Sequence, residues 1–151
     1  MIFIEKAEEF SPDIADILVE AAAVAALRYQ SAPQDADLSI VLTDDNQLHE
    51  LNLQWMGVDA PTDVLSFPSN EIDPETGNPY LGDILVSVQR AALQASAAGH
   101  PVEAEVQLLI VHGVLHLLGH DHAEPEQKAR MWQAQGMILT ELGLGEIQIR
   151  E

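Results

Sequence analysis

Three histidines with the spacing of metal ligands stand close together in the second half of the chain. His112, His116 and His122 occur in the stretch HGVLHLLGHDH. Residues four positions apart lie on one face of a helix, so His112 and His116 are predicted to project toward a common point. Gly119 can end that helix and turn the chain back, which brings His122 toward the same point. Three imidazoles around one point are typical of a catalytic zinc site with an open coordination position, and predict one zinc ion per chain.

Two polar residues lie between these predicted ligands. Asp121 can accept the second N–H of a ligating imidazole, or it can be a turn residue that bonds its own backbone, and the two roles are compatible. His120 is predicted to lie at the rim of the site and not on the metal, because three histidines already leave one open coordination place.

The histidine spacing also matches that of the metzincin proteases, which carry the pattern HExxHxxGxxH. Those enzymes need the glutamate after the first histidine as a general base. This chain has Gly113 at that position. The pattern therefore disfavours a protease. A metal hydrolase of small molecules or peptides stays as a third hypothesis, ranked after the two functions described below.

The composition is strongly acidic, with 25 acidic against 6 basic residues and a formal net charge of −19. Proteins that bind nucleic acid unaided usually present a basic face, so a large one is excluded and DNA is not expected as a partner. An acidic surface suits solubility or docking onto a basic partner. The absence of cysteine excludes thiolate metal sites and disulfides, which favours a cytoplasmic location. No apolar run reaches the roughly 18 residues of a membrane span, and the first residues lack a signal-peptide pattern, so no membrane partner is expected.

The periodicity of the apolar residues predicts an α+β fold in one domain over residues 1–151, with a single mixed sheet of about four strands packed with about five helices. Ser11 is the predicted N-cap of the first helix, and Pro12 its first residue. The second helix is predicted to direct Leu48, Leu51 and Trp55 inward and to end at Gly57. The strands are predicted at 2–6, 38–43, 64–67 and 84–88, and the later helices at 88–98, from 101 through the histidines, and from 125 to 142.

Three blocks, in order, resemble those of the YbeY family of bacterial endoribonucleases and rRNA maturation factors. HGVLHLLGHDH (112–122) resembles the family signature HGxLHLxGxDH. LN (51–52) followed by DAPTDVLSFP (59–68) is similar to a second family block, and LGDILVS (81–87) to a third, so the resemblance covers about residues 38–142. The resemblance implies an α+β fold and a zinc ion held by His112, His116 and His122. It also implies a role in ribosomal RNA maturation at the 3′ end of the small-subunit rRNA and in ribosome quality control, with the small ribosomal subunit and its basic proteins as partners.

One departure from the family pattern concerns positive charge. Family members commonly carry an arginine just before the glycine of the block after LN, regarded as important for RNA cleavage, and often a basic residue after it. This chain has Met56 and Val58 on either side of Gly57. Methionine cannot pair with a phosphate or stabilise its developing charge. The substitution favours the alternative that the protein is a metal-stabilised ribosome-assembly factor that binds RNA without cutting it.

Four further polar residues are possible cleft residues. Thr62 and Ser66 are placed to present hydroxyl groups to a bound phosphate, although Ser66 can equally bond to the backbone as a strand hydroxyl. Asp59 is predicted to be a turn residue first and a cleft residue second. Asn52, at a helix end, fits either position.

Overall fold

The computed structural model describes residues 1–10, 14–30, 32 and 35–147, and within them it has one four-stranded sheet and five α-helices. The strands lie in the order β1-β2-β4-β3; β1, β2 and β4 are parallel, and β3 is antiparallel at one edge. The predicted α+β fold with a mixed sheet is thereby confirmed. The elements are β1 (Ile2–Lys6), α1 (Asp16–Tyr29), β2 (Asp37–Thr43), α2 (Asp45–Leu51), β3 (Val64–Pro68), β4 (Tyr80–Ser87), α3 (Val88–Ala98), α4 (Val102–Leu117) and α5 (Pro125–Glu141), with a 3-10 turn at Glu8–Phe10 and a π-helical turn at Asn52–Met56.

The main core lies between the sheet and the helices α1 and α4. Successive side chains of a strand point to opposite faces, so Leu38, Ile40 and Leu42 of β2 face the same side, where all three are fully buried. Ile84 and Val86 of the neighbouring β4 continue this apolar face. A smaller cluster on the other face packs α2 against the sheet.

The helix α4 carries the predicted metal ligands and is the most enclosed helix of the fold. It packs against α1, α3, α5, β3 and β4, and the apolar face predicted for it is buried from Val106 to Val114. Gly113 makes the close approach to the sheet possible, because a Cβ atom there would lie 2.8 Å from Ile84 Cγ2. Ser66 Oγ of β3 donates a hydrogen bond to the carbonyl oxygen of Gly113 at 3.2 Å. These contacts fix α4 on the sheet directly beside His112.

Local signals in the sequence account for several element ends. Asp44 caps α2 by accepting a hydrogen bond from the Gln47 N–H at 2.9 Å, as its position before the helix predicts. Gly57 follows the π-helical turn with a φ of 70°, and Gly99 ends α3 with a φ of 82°, both in the left-handed region that favours glycine. Gly57 was predicted to end its segment, and Gly99 directly follows the helix predicted at 88–98.

Two local predictions were wrong. The first helix begins at Asp16, after Ala15, which is later than predicted; the predicted cap Ser11 and first residue Pro12 lie outside the described residues. Trp55 does not point inward: 62% of its surface is exposed, and its ring meets the ring of Phe67 edge-on at a centroid distance of 6.3 Å. The π-helical turn explains this, because its wider hydrogen-bond spacing rotates the residues that follow α2 away from the α-helical phase.

A helix that crosses a bilayer needs about 18 or more largely apolar residues. Within the described part of the chain, no helix combines the length and the hydropathy that crossing a bilayer needs.

Candidate metal centre

Three histidine rings converge at the C-terminal end of α4. His112 and His116 project from the same face of the helix, one turn apart, with their Nε2 atoms 3.0 Å from each other. The helix ends at Leu117, and Gly119, with a φ of 100°, turns the chain back. The ring of His122 is thereby brought to centroid distances of 5.6 Å from His112 and 5.2 Å from His116.

The nitrogen atoms of this cluster have the spacing that a metal ion requires. One ligand atom from each of His112, His116 and His122 lies within 4.8 Å of the other two. Zinc–nitrogen bonds of about 2.0–2.1 Å in a tetrahedron place neighbouring ligand nitrogens about 3.3 Å apart, which is close to the observed Nε2–Nε2 distance. With no thiolate in the chain, imidazole nitrogen is the donor type offered, and this donor suits zinc and related divalent ions. The residues present therefore fit a metal ion.

Gln135 of α5 orients the first of these histidines. The Nδ1–H of His112 donates to Gln135 Oε1 at 2.7 Å, which leaves Nε2, the atom that faces His116, free to bind a metal. Gln135 is 1% exposed, and its Nε2 has no hydrogen-bond partner within the described structure. A buried amide with an unsatisfied N–H group costs stability, so a native protein keeps one for a specific reason. The amide is thus committed to His112, in the way that ligand-orienting residues are in metal sites.

Gln135 was not among the residues predicted from the sequence. The available signal is its position on α5: it lies four residues after Met131 and three before Ile138, so a glutamine interrupts the buried apolar stripe of this helix. A polar side chain in such a stripe needs a partner inside the protein.

Burial favours the neutral form of the two helical imidazoles, those of His112 and His116. It lowers the pKa of His112 to about 4; the hydrogen bond that His112 donates to Gln135 opposes this change, while His116 and His122 add to it. Burial likewise lowers the pKa of His116, helped by the nearby His122. Neutral imidazole is the form that binds a metal ion, so these two ligands can bind one without first losing a proton.

Trp132 of α5 forms an aromatic wall beside the cluster. Its ring meets that of His112 at 6.1 Å and that of His122 at 5.7 Å, both edge-on. Lys128 Nζ lies 5.6 Å from the centroid of the same tryptophan ring. The helix α5 therefore holds the cluster from one side, through Gln135 and Trp132.

An open cleft of about 740 Å³ lies in front of the cluster. The structure places Thr62 and Ser66 in its lining, together with His112 and His116. The Thr62 hydroxyl is 3.5 Å from Asp63 Oδ1, and the Ser66 hydroxyl donates to a backbone carbonyl. The full lining consists of Met56, Thr62, Asp63, Val64, Leu65, Ser66, Pro68, His112, His116, Gly119, His120, Asp121 and His122.

Two of the possible cleft residues lie elsewhere. Asn52 is 8% exposed, and its Nδ2 donates to the carbonyl oxygen of Ala60 at 2.9 Å, so it secures the loop before β3. Asp59 is exposed and lies 2.7 Å from His49 Nε2. Neither residue lines the cleft. Asp63 does line it, and its Oδ2 accepts a hydrogen bond from Gln94 Nε2 at 3.2 Å.

Asp121 takes the turn role of the two that its position allows. Its Oδ1 accepts a hydrogen bond from the backbone N–H of His122 at 2.7 Å, which fixes the turn that delivers this histidine. The imidazole of His112 is instead oriented by Gln135. His120 lies at the rim, outside the group of three ligand atoms.

A smaller pocket of about 230 Å³ adjoins the cleft and shares Gly119, His120 and Asp121 with it. Gln127 and Arg130 of α5 complete the polar part of its lining. Partial burial lowers the pKa of His120, and the positive charge of Arg130 lowers it further.

The cleft itself carries no lysine or arginine among the described residues. Met56 lines it with half of its own surface exposed, at the position where the sequence comparison expected an arginine. The wall formed by the π-helical turn is therefore apolar.

Comparison with known proteins identifies the family. A family model described as Endoribonuclease YbeY matches residues 3–143. Proteins named Endoribonuclease YbeY are similar to this chain: that of Mycobacterium tuberculosis is 42% identical over 149 residues, covering 91% of this chain and 82% of the relative. That of Clavibacter sepedonicus is 41% identical over 148 residues, covering 95% and 97%. That of Nocardia farcinica is 48% identical over 113 residues, which cover 70% of this chain and 61% of the relative.

A solved structure has the same fold. The solution structure of TM1509 from Thermotoga maritima superimposes with a TM-score of 0.58 at 25% sequence identity, covering all of this chain and 97% of the other.

Proposed function

Because this chain belongs to the Endoribonuclease YbeY family, we propose that it is a zinc-dependent endoribonuclease that acts on ribosomal RNA. Its role is the maturation of the 3′ end of the small-subunit rRNA and ribosome quality control. The observation that carries this proposal is the convergence of His112, His116 and His122 beside an open cleft. These three residues would hold one zinc ion per chain.

A zinc ion in such a site supplies Lewis-acid polarisation of a phosphoryl oxygen and lowers the pKa of water to about 7. The surrounding residues of this chain supply orientation and proton transfer. Gln135 holds the His112 ring so that its Nε2 faces the site, and Thr62 offers its hydroxyl to the bound RNA strand. Asp63 and Asp121 are the carboxylates of the described lining, and a carboxylate within reach of the nucleophile can accept its proton.

We propose that contacts with the small ribosomal subunit provide the targeting. A net charge of −19 gives this protein little attraction for free RNA, whereas basic ribosomal proteins complement it. A cytoplasmic location, where small subunits mature, is part of the same proposal. So is a single domain over residues 1–151, which is supported by one sheet with a continuous core on α1 and α4.

A second candidate function is a metal-stabilised ribosome-assembly factor that binds RNA without cleaving it. The observation that favours it is the apolar wall at Met56 together with the lack of a cation in the described cleft lining. Without a fixed positive charge, a developing negative charge on phosphate has fewer groups to stabilise it.

The test is RNA cleavage by purified, zinc-loaded protein on a precursor of the small-subunit rRNA 3′ end. We expect cleavage by the wild type, none by His116→Ala, and normal cleavage by His49→Ala, since His49 pairs with Asp59 outside the cleft. Cleavage by a metal-free His116→Ala variant would contradict the proposal. Binding of the precursor by zinc-loaded wild type without any cleavage would instead establish the assembly-factor function.

A further inference from the structure

The positive charges of this protein are few, and most of them are already paired. Five of the six lysines and arginines lie in the described residues; Arg150 does not. Three of the five form ion pairs with residues that do not line the cleft: Lys6 with Asp16 at 2.8 Å, Arg28 with Glu141 at 3.9 Å, and Arg90 with Asp45 at 2.7 Å. Lys128 and Arg130 both belong to α5, the helix that holds the histidine cluster.

Arg130 is the member of this pair that lines a pocket. It is exposed and reaches the small pocket that continues the cleft past Gly119, His120 and Asp121. Its Nε lies 3.5 Å from the carbonyl oxygen of Glu126, a weak contact, and within the described part of the chain it has no ion pair. Lys128 instead lies over the ring of Trp132.

The donors around this pocket suit a phosphate group. A guanidinium presents several N–H groups in one plane, which matches two phosphate oxygens at once. Gln127 adds an amide nitrogen, because its Oε1 is engaged with the Glu124 N–H at 3.2 Å while its Nε2 stays available as a donor. Asp121 is the one carboxylate of the described pocket lining, and its Oδ1 is already bonded to the His122 N–H.

We propose that Arg130 is a phosphate-binding residue of this site. In the pocket beside the cleft, it holds the phosphodiester that neighbours, along the same RNA strand, the phosphodiester at the metal. The strand in question is single, since a pocket of about 230 Å³ admits one phosphate group and not a duplex. The positive charge that pairs with the RNA phosphate thereby comes from Arg130 of α5, whereas the cleft wall at Met56 offers no positive charge. This inference rests on the proposed function and specifies how its substrate is held.

The test is binding of a short single-stranded oligoribonucleotide with 2′-O-methyl riboses to zinc-loaded protein, measured by fluorescence anisotropy over a range of salt concentrations. A gel after the measurement verifies that the probe is intact. Arg130→Gln is compared with Arg28→Gln, which changes the net charge equally but removes a side chain that is 72% exposed and paired at the far end of α5. Arg130→Lys keeps the charge without the planar fork.

We expect Arg130→Gln to weaken binding by about tenfold or more, because it removes charge-assisted hydrogen bonds to the phosphate. The slope of log affinity against log salt should fall by about 0.7, the value for one phosphate contact on a single strand. Arg130→Lys should fall between the wild type and Arg130→Gln, and Arg28→Gln should stay within about twofold of the wild type, because its charge lies outside the contact. Unchanged zinc content in all variants verifies that the metal site is intact.

Equal affinities and equal salt slopes for Arg130→Gln and Arg28→Gln would overturn the inference. A pocket that binds only free phosphate would also overturn it. In that case inorganic phosphate would stabilise the protein against unfolding in an Arg130-dependent way, while RNA binding would not depend on Arg130. The proposed function fails separately: wild-type protein that binds the probe through Arg130 but cleaves no RNA would exclude the endoribonuclease and leave the phosphate site standing. Wild-type protein that cleaves RNA while Arg130→Gln binds and cleaves equally well would exclude the phosphate site alone.

Discussion

At the scale of single residues, the histidine cluster includes a buried glutamine that contacts one of its rings. His112, His116 and His122 are recognisable from spacing alone, because a separation of four residues has one geometric meaning on a helix. Gln135 is not recognisable in this way, since its contact with His112 forms only when α5 packs against α4. Asp121 had two possible partners in the sequence, and the local one, the next backbone N–H, is the one found.

The contribution of Gln135 can be measured directly. We expect Gln135→Leu to weaken zinc binding by about 10- to 100-fold, the usual effect of removing the group that orients a ligating histidine. Gln133→Leu is the matched control, because Gln133 is exposed on the same helix. Competition with a zinc-binding dye measures both affinities. Equal affinities in the two variants would mean that His112 needs no orienting partner.

The lowered pKa of His112 predicts how the metal-free protein responds to acid. The pKa of this imidazole is about 4 when folded and about 6.5 when unfolded, so between these values the unfolded chain binds more protons. Stability is therefore unaffected by this group above pH 6.5 and falls as the pH drops toward 4, by up to about 3 kcal/mol. Urea unfolding in chelator at several pH values measures the loss.

The same experiment on His112→Gln supplies the control for this pH dependence. The variant lacks the titrating ring, so its stability should fall less steeply over the same pH range. Parallel curves for the two proteins would show that other groups cause the acid sensitivity.

At the scale of elements, the glycine that argued against a protease has a packing role. Gly113 faces β4 so closely that a methyl group would lie 2.8 Å from Ile84 Cγ2 and 3.2 Å from Ser66 Oγ. A glutamate at this position would separate α4 from the sheet and displace both helical histidines. The helix–sheet contact therefore explains why the general base of the HExxH pattern is missing here.

Two glycine-to-alanine substitutions separate packing from helix propensity. Gly113→Ala is expected to destabilise the protein by about 1–3 kcal/mol through overpacking. Gly136→Ala, in the middle of α5, meets no atom within 4 Å and is expected to stabilise it by about 0.4–1 kcal/mol. Chemical denaturation of both variants gives the two free energies. A stabilised Gly113→Ala variant would contradict the close contact between α4 and the sheet.

The π-helical turn after α2 shows where helical periodicity misleads. An α-helical phase continued from Leu48 places Trp55 inward, but the turn at Asn52–Met56 breaks that phase. Similarly, the beginning of α1 could not be read from Ser11 and Pro12, since the described helix begins at Asp16. Element types followed from the apolar pattern, whereas these ends and phases depend on local backbone geometry.

Leu48, before this turn, and Trp55, within it, should differ in their effect on stability. Leu48→Ala removes a fully buried side chain and is expected to cost about 2–5 kcal/mol. Trp55→Ala removes a largely exposed ring and is expected to cost less than about 1 kcal/mol, mainly through its contact with Phe67. Thermal or urea unfolding measures both losses. A larger loss of unfolding free energy for Trp55→Ala than for Leu48→Ala would mean that the Trp55 ring points into the core.

At the scale of the whole molecule, the acidic composition and the order of the three sequence blocks were the informative features. The order of the blocks predicted the family, which the family model and the similar proteins confirm. The net charge led to the prediction that the protein has no large basic face. The position of Arg130 beside the cleft could not be predicted, because it depends on how α5 crosses the end of α4.

The central claim is that one metal ion bound by the three histidines is required for RNA cleavage. The most direct measurement is cleavage of a small-subunit rRNA precursor by one protein preparation before chelation, after chelation, and after zinc is restored, with metal content determined at each stage. The proposal predicts full cleavage at one zinc per chain, none after chelation, and recovery in proportion to the zinc restored. Undiminished cleavage by protein shown to be metal-free would contradict it.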